Sequence, residues 1–209
     1  MNLNTKKGSY LVVMEWEYMK GSEEKVANIW NQSEAKKLMS SSVLYKAIKK
    51  DTFVIIYSVK DFLEIQAFVE SNEYKDFVNA IAEYTISDIH QDIHGFVDTV
   101  LPRESFVPQT KYMQLRQIEV PLSGIDDYLE WRKRTIFKYV QKNDKVKSFL
   151  AFHSVLSSTP GVLFVTEFEG DPDQYRNSFL TPEYQVIIKE AGHDHIKGGL
   201  NTFEYELVS

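Results

Sequence analysis

The chain reads as one structural plan written twice, and that repeat constrains its fold more than any other feature. Each half opens on a strand-like run, Tyr10-Leu-Val-Val-Met-Glu-Trp-Glu-Tyr18 and Tyr112-Met-Gln-Leu-Arg-Gln-Ile-Glu-Val120. Each continues through an amphipathic helix and two closely spaced strands. Each then enters a helix by a similar phrase, Phe68-Val-Glu-Ser-Asn-Glu-Tyr74 and Phe179-Leu-Thr-Pro-Glu-Tyr184, and closes on a last strand. For a chain of 209 residues this predicts two units of about 100 residues, spanning 1–105 and 106–209.

The order within each unit is βαββαβ, a ferredoxin-like α+β plan. In the first strand Tyr10, Val12, Met14 and Trp16 alternate with Leu11 and Val13, so both faces are expected to be covered. Ser22 is expected to cap the first helix, with Glu23 and Glu24 at its positive end. Lys50-Asp51 predicts a turn between the strands Val43–Lys49 and Thr52–Val59, and Ile93–Val100 a closing strand. In the second half Ser123 with Asp126 predicts a capping box, and Phe149–Leu156 and Val162–Phe168 a strand pair. Asp171-Pro172 and Thr181-Pro182 predict helix starts with Pro at the first position, Gly192 a helix end, and Asn201–Val208 the last strand. Pro102-Arg-Glu-Ser-Phe-Val-Pro108 reads as the linker.

Composition removes several classes of function. The net charge of −6 argues against nonspecific binding to nucleic acid or an anionic membrane, which need a basic surface. The absence of cysteine excludes disulfides, thiolate metal sites and cysteine nucleophiles. The polar start, Met1-Asn-Leu-Asn-Thr-Lys-Lys-Gly8, carries no secretory or membrane-spanning signal, so a cytoplasmic protein is expected. No phosphate-cradling glycine loop and no Gly-x-Ser-x-Gly elbow is present. The basic run Trp131-Arg-Lys-Arg134 reads as a solvated helix face.

One βαββαβ unit leaves one sheet face bare, and two units can cover each other's bare faces sheet to sheet. In this the chain resembles the dimeric α/β-barrel superfamily, in a version where one polypeptide supplies both halves. That group includes antibiotic-biosynthesis-type and haem-degrading monooxygenases and NIPSNAP-like proteins. Tyr112–Val120 followed by a long helix resembles the opening of NIPSNAP-like domains. The resemblance implies an intramolecular dimeric α/β barrel, with ligand held between a sheet and its helices or at the seam between sheets. The contexts of Trp16, Trp30 and Trp131 do not reproduce the Asn, Trp and His set of haem-degrading members, and no cofactor is expected.

Polar side chains on apolar strands are the candidate site residues. His153 shares a strand face with Phe149, Ala151 and Val155, a setting that suits proton transfer but equally a structural histidine. Arg116 and Glu167, on the first and third strands of the same half, are candidates to orient or polarise a substrate, or to form an ion pair with each other. The pairs His90/His94 and His193/His195, with nearby carboxylates, raise a metal reading, but both fall near the entry to a final strand without a ligand scaffold, and no metal is expected. Two functions follow. One is a small cofactor-independent monooxygenase-like enzyme holding a flat apolar or aromatic molecule, with His153, Arg116 and Glu167 as the catalytic set. The other is a noncatalytic ligand-binding or protein-interaction module of the same fold, as a monomer or homodimer.

Overall fold

In the computed structural model, residues 10–39 and 41–208 are described; the polar run at 1–8 lies outside them. The first half comprises β1 (Tyr10–Glu17), α1 (Glu23–Gln32), α2 (Glu34–Leu38), β2 (Ser42–Ala47), β3 (Thr52–Val59), α3 (Phe62–Glu70), α4 (Asn72–Ala82) and β4 (His90–Leu101). The second comprises β5 (Tyr112–Glu119), α5 (Ile125–Arg134), α6 (Ile136–Lys142), β6 (Val146–Leu156), β7 (Val162–Phe168), α7 (Pro172–Asn177), α8 (Pro182–Glu190) and β8 (Lys197–Leu207). The strands run β4-β1-β3-β2 in one sheet and β8-β5-β7-β6 in the other, the same order at corresponding positions. Antiparallel pairs β2–β8 and β4–β6 join the sheets into a closed eight-stranded barrel. The expected pair of ferredoxin-like units is therefore present, and closure leaves the barrel without an outer edge strand.

Alternation along each strand sends side chains to two different cores. Leu11, Val13, Val54 and Ile56 from the first half meet Leu115, Phe152, Leu163 and Val165 from the second inside the barrel. Burying one such side chain contributes roughly 1.5–3 kcal/mol. The opposite faces carry the helices: Val12, Met14, Trp16, Phe53 and Ile55 under the first set, Ile118, Phe149, Phe164 and Phe168 under the second.

Most helix starts follow the expected chemistry. Asp171 and Thr181 cap α7 and α8 ahead of their prolines, and Ser71 accepts from Tyr74 N at the start of α4. Two caps differ. The Ser22 hydroxyl donates to the Met19 carbonyl, 2.6 Å away, instead of capping α1. A short 3-10 turn, Leu122–Gly124, replaces the capping box at Ser123, and α5 begins without a side-chain cap. The chain after α8 continues as a π-helical turn, Ala191–His195, where Gly192 was expected to end the helix. β4, β6 and β8 extend beyond the expected spans, and β8 takes in Gly198 and Gly199, both at positive φ.

The proline-flanked connector also differs from a plain linker. Its Phe106 packs against Phe96 and Phe152 at the barrel's end, with ring centroids 4.9 and 6.1 Å away. Its Arg103 reaches the barrel-facing carboxylate of Glu167, donates to Ser148 Oγ at 3.1 Å, and binds the carbonyls of Ser105 and Phe106. Glu167 further accepts from Thr110 N at 2.9 Å, from Gln109 N and from Ser148 Oγ. Burial alone would raise the Glu167 carboxyl, but Arg103, Ser148 and Gln109 outweigh it and hold it below the usual carboxylate range. Its contribution to stability is complete above the unfolded Glu value and fades as pH falls through that value towards the folded one. Glu167→Gln leaves the Arg103 charge buried without its partner and is expected to lower unfolding free energy by about 3–5 kcal/mol at neutral pH. Urea unfolding measures this; equal stability of variant and wild type at pH 7 would show that the pair does not hold the connector to the barrel end.

Candidate functional site

Between the second sheet and α6, α7 and α8 lies a cavity whose floor is the helix-facing side of β5 and β7. Phe149 and Phe164 on the sheet, Ile188 on α8 and Phe179 in the turn between α7 and α8 give it apolar walls. Polar groups interrupt the floor at Gln114, Arg116 and Thr166, and the helices add Tyr175 and Tyr184. Among the described residues no histidine, carboxylate or lysine lines it. The volume open to a water-sized sphere is ≈ 20 Å³, room for about one water, so the layer is closed in this conformation.

The two halves differ at matching positions. Register aligns Val12 opposite Tyr57 and Met14 opposite Ile55 in the first half, with Gln114 opposite Thr166 and Arg116 opposite Phe164 in the second. Where the second half carries Gln114, Arg116 and Thr166, the first therefore has Val12, Met14 and Tyr57. Its sheet–helix layer is filled by Trp16, Trp30 and Phe77, all fully buried or nearly so, with Phe77 5.2 Å from Trp30 and 6.2 Å from Trp16 between ring centroids. The first layer has one polar side chain opposite Met14, Gln91, whose carboxamide is paired with the hydroxyls of Tyr57 and Tyr74; the second sets Gln114, Arg116 and Thr166 into its floor.

Arg116 is the charge in this cavity. Its guanidinium donates to the Tyr184 hydroxyl at 2.8 Å and to Thr202 Oγ1 at 3.2 Å, both neutral groups. Among the described residues no carboxylate lies within 4.0 Å of it. Glu204, opposite Gln114 on β8, is paired with Arg176 instead. Gln114 is 5% exposed, and its carboxamide makes no side-chain hydrogen bond among the described residues. Burial pushes the Tyr175 phenol above its ordinary range, with Arg116 opposing, so Tyr175 stays protonated.

The three side chains expected to work together do not meet. Arg116 lies in the cavity. Glu167, which pairs with Met113 in register, sits on the opposite face of the sheet beside Leu163 and Val165, inside the barrel. The ion pair considered between the two is replaced by Arg103–Glu167, because β5 and β7 turn Arg116 and Glu167 to opposite sides. His153 does share the helix-side face of β6, but near the strand's end and away from the cavity. Its Nδ1 lies 3.1 Å from the Ser154 carbonyl, and its Nε2 would be 3.1 Å from a Cβ on Gly161, so the ring rests against that glycine.

The other histidines are equally dispersed. His94 is fully buried on the barrel side of β4, with neither ring nitrogen hydrogen-bonded. Burial lowers it to about 4, with Asp92 opposing and His153 adding to the effect. His195 packs 4.7 Å from the Trp131 ring, and His193 contacts Asp194 at the surface. Among the described residues no three or more His, Asp or Glu gather around a common point. Arg132, expected on a solvated face, is 1% exposed beneath the rings of Tyr128, Phe137 and Phe164.

Sequence reasoning found Arg116 and missed Gln114, Thr166 and Tyr175; Tyr184 had drawn notice only as part of the repeated phrase. Aligning Tyr10 with Tyr112 sets Gln114 and Arg116 against Val12 and Met14, and that contrast was the available signal.

If Arg116 serves a ligand and not the fold, its first-half counterpart should replace it without harm. Arg116→Met is expected to leave the melting temperature within about 2 °C of wild type or to raise it. A loss beyond about 4 °C, roughly 1 kcal/mol or more for a chain of this size, would assign Arg116 a structural role.

No family model matches the sequence, and no curated protein matches it. Solved structures match it throughout. A protein assigned as a monooxygenase from Fusobacterium nucleatum superposes with a TM-score of 0.72 at 14% identity, covering 98% of this chain and 94% of that one. A second protein so assigned, from Lactobacillus acidophilus, gives 0.64 at 12% identity over 97% and 95%. An anthrone oxidase-like protein gives 0.70 at 10% identity over 98% and 93%. At these identities the likeness speaks for architecture alone. Two βαββαβ sheets closed into one eight-stranded barrel, with full-length counterparts of the same shape, give this chain a dimeric α/β-barrel fold within a single polypeptide.

Proposed function

We propose that this chain is a small monooxygenase-like enzyme that takes a flat aromatic molecule into the second sheet–helix layer, and that the first half serves to complete the barrel. The observation that carries this reading is the polar set in an otherwise apolar cavity, Gln114, Arg116 and Thr166 beside Tyr184, where the first half has Val12, Met14 and Tyr57 at the three sheet positions. A ligand pocket of this kind has apolar walls for the ring system and a few placed polar groups for orientation. Structures described as monooxygenases and as anthrone oxidase-like share the whole architecture.

The lining suggests a division of labour. With no His, Asp, Glu or Lys among the described residues that line the cavity, the protein offers no strong base there. A substrate acidic enough to ionise by itself, such as a phenol or an anthrone, suits such a site. Arg116 and the phenol of Tyr184 would stabilise the oxygen on which negative charge develops. Oxidation of an anthrone-type CH2 by O2 balances without a cofactor: one oxygen atom becomes the new carbonyl and the other leaves as water with the two hydrogens. His153 lies outside this cavity and is not assigned a part in the step.

The closed state of the cavity, ≈ 20 Å³, also favours a second reading, a noncatalytic module whose aromatic residues are core. Oxygen uptake with anthrone under air, with anthraquinone followed by absorbance, separates the two. Catalysis predicts turnover above the buffer rate, reduced at least tenfold in Arg116→Met. No uptake above background by the wild type would leave the noncatalytic reading.

A further inference from the structure

The geometry points to an aromatic acid as the ligand class of this cavity: a planar ring system bearing an anionic oxygen pair, held by Arg116 and Gln114 together. The inference rests on the reading of the cavity as a ligand site and names what its polar end recognises.

Three observations carry it. Arg116 bonds only to neutral hydroxyls, with no carboxylate within 4.0 Å among the described residues. A guanidinium on an apolar floor, away from full solvation, gains most from an anion that can accept two of its N–H groups side by side. The acid opposite Gln114 on the neighbouring strand, Glu204, is held by Arg176. Gln114 is the second observation. The residue is 5% exposed and lines the cavity, and its carboxamide makes no side-chain hydrogen bond among the described residues. Its N–H groups are free to donate to a ligand oxygen. Third, Gln114 and Arg116 are two residues apart on one face of β5, roughly 7 Å along the strand. A carboxylate, or a phenolate beside a carbonyl, presents two acceptor oxygens on a planar frame and can meet both groups at once. Phe149, Phe164 and Phe179 are placed to cover the ring faces.

Charge, and not size, therefore sets the selectivity. A neutral ester of the same ring fills the apolar part equally but offers no anion to Arg116. The cavity must open for either one, so the cost of moving the helix wall cancels between them.

The test is calorimetric titration of the full chain with 2-naphthoate and with methyl 2-naphthoate, using wild type, Arg116→Met, Arg116→Lys and Gln114→Leu. Circular dichroism melting confirms that each variant is folded. In the wild type, 2-naphthoate is expected to bind at least tenfold more tightly than the ester. Arg116→Met should lose about 10- to 100-fold in affinity for the acid, the worth of a charge-assisted hydrogen bond, and keep the ester within about twofold. Arg116→Lys should retain part of the preference, because the charge remains without the planar fork. Gln114→Leu should weaken the acid and not the ester. Equal binding of acid and ester by the wild type, or a preference unchanged in Arg116→Met, would overturn the acid class while leaving the cavity a ligand site. Absence of binding by both compounds at millimolar concentration would overturn the cavity reading as well.

Discussion

The mutual burial of two apolar sheet faces is what everything else in this molecule requires. Leu11, Val13, Val54 and Ile56 have no cover of their own, nor do Leu115, Leu150, Leu163 and Val165; each set is sealed by the other. Joining β2 to β8 and β4 to β6 satisfies the outer backbone edges at the same time. The connector completes the seal by setting Phe106 among the interior rings and Arg103 on Glu167. The interior is thus packed by side chains from both halves.

Those faces are equivalent in topology and unlike in chemistry. The first is closed by tryptophan and phenylalanine; the second sets Gln114, Arg116 and Thr166 into an apolar floor beneath Tyr175 and Tyr184. Barrel closure rests on the inner faces, while Gln114, Arg116 and Thr166 on the outer faces of β5 and β7 differ from their first-half counterparts Val12, Met14 and Tyr57. On the proposed reading, stability and function occupy opposite sides of the same strands. Glu167 and Arg116 illustrate it: one sheet, two faces, one residue holding the connector and the other charging a cavity.

Element order, the hairpins, the α7 and α8 caps and the two-sided first strand were all legible in the sequence, because each is written in local periodicity and turn chemistry. Pairing register was not. Without it, Arg116 and Glu167 look like neighbours on adjacent strands, although the alignment of Met113 with Glu167 turns them apart. The same limit made His153 look central, since its apolar strand face is visible in sequence but its distance from the helices' polar groups is not. Arg103 was hidden by its setting: a proline-flanked stretch without periodicity reads as solvent-exposed chain, and only the folded barrel end reveals that a buried carboxylate awaits a cation there. Arg132 was hidden in the same way, because its neighbours Lys133 and Arg134 lie exposed on α5 while the turn of the helix carries Arg132 beneath three rings.

Isoleucine side chains sample all three cores separately, and their methyl NMR signals locate a ligand directly. Ile118, Ile136, Ile188 and Ile196 line the second-half cavity, Ile55 and Ile81 lie under the first-half helices, and Ile56 faces the barrel interior. On titration with 2-naphthoate, shifts confined to the cavity set are expected, with Ile55, Ile56 and Ile81 unmoved. Shifts at Ile56 or at Ile55 and Ile81, with Ile118 and Ile188 silent, would contradict the assignment of function to the second layer.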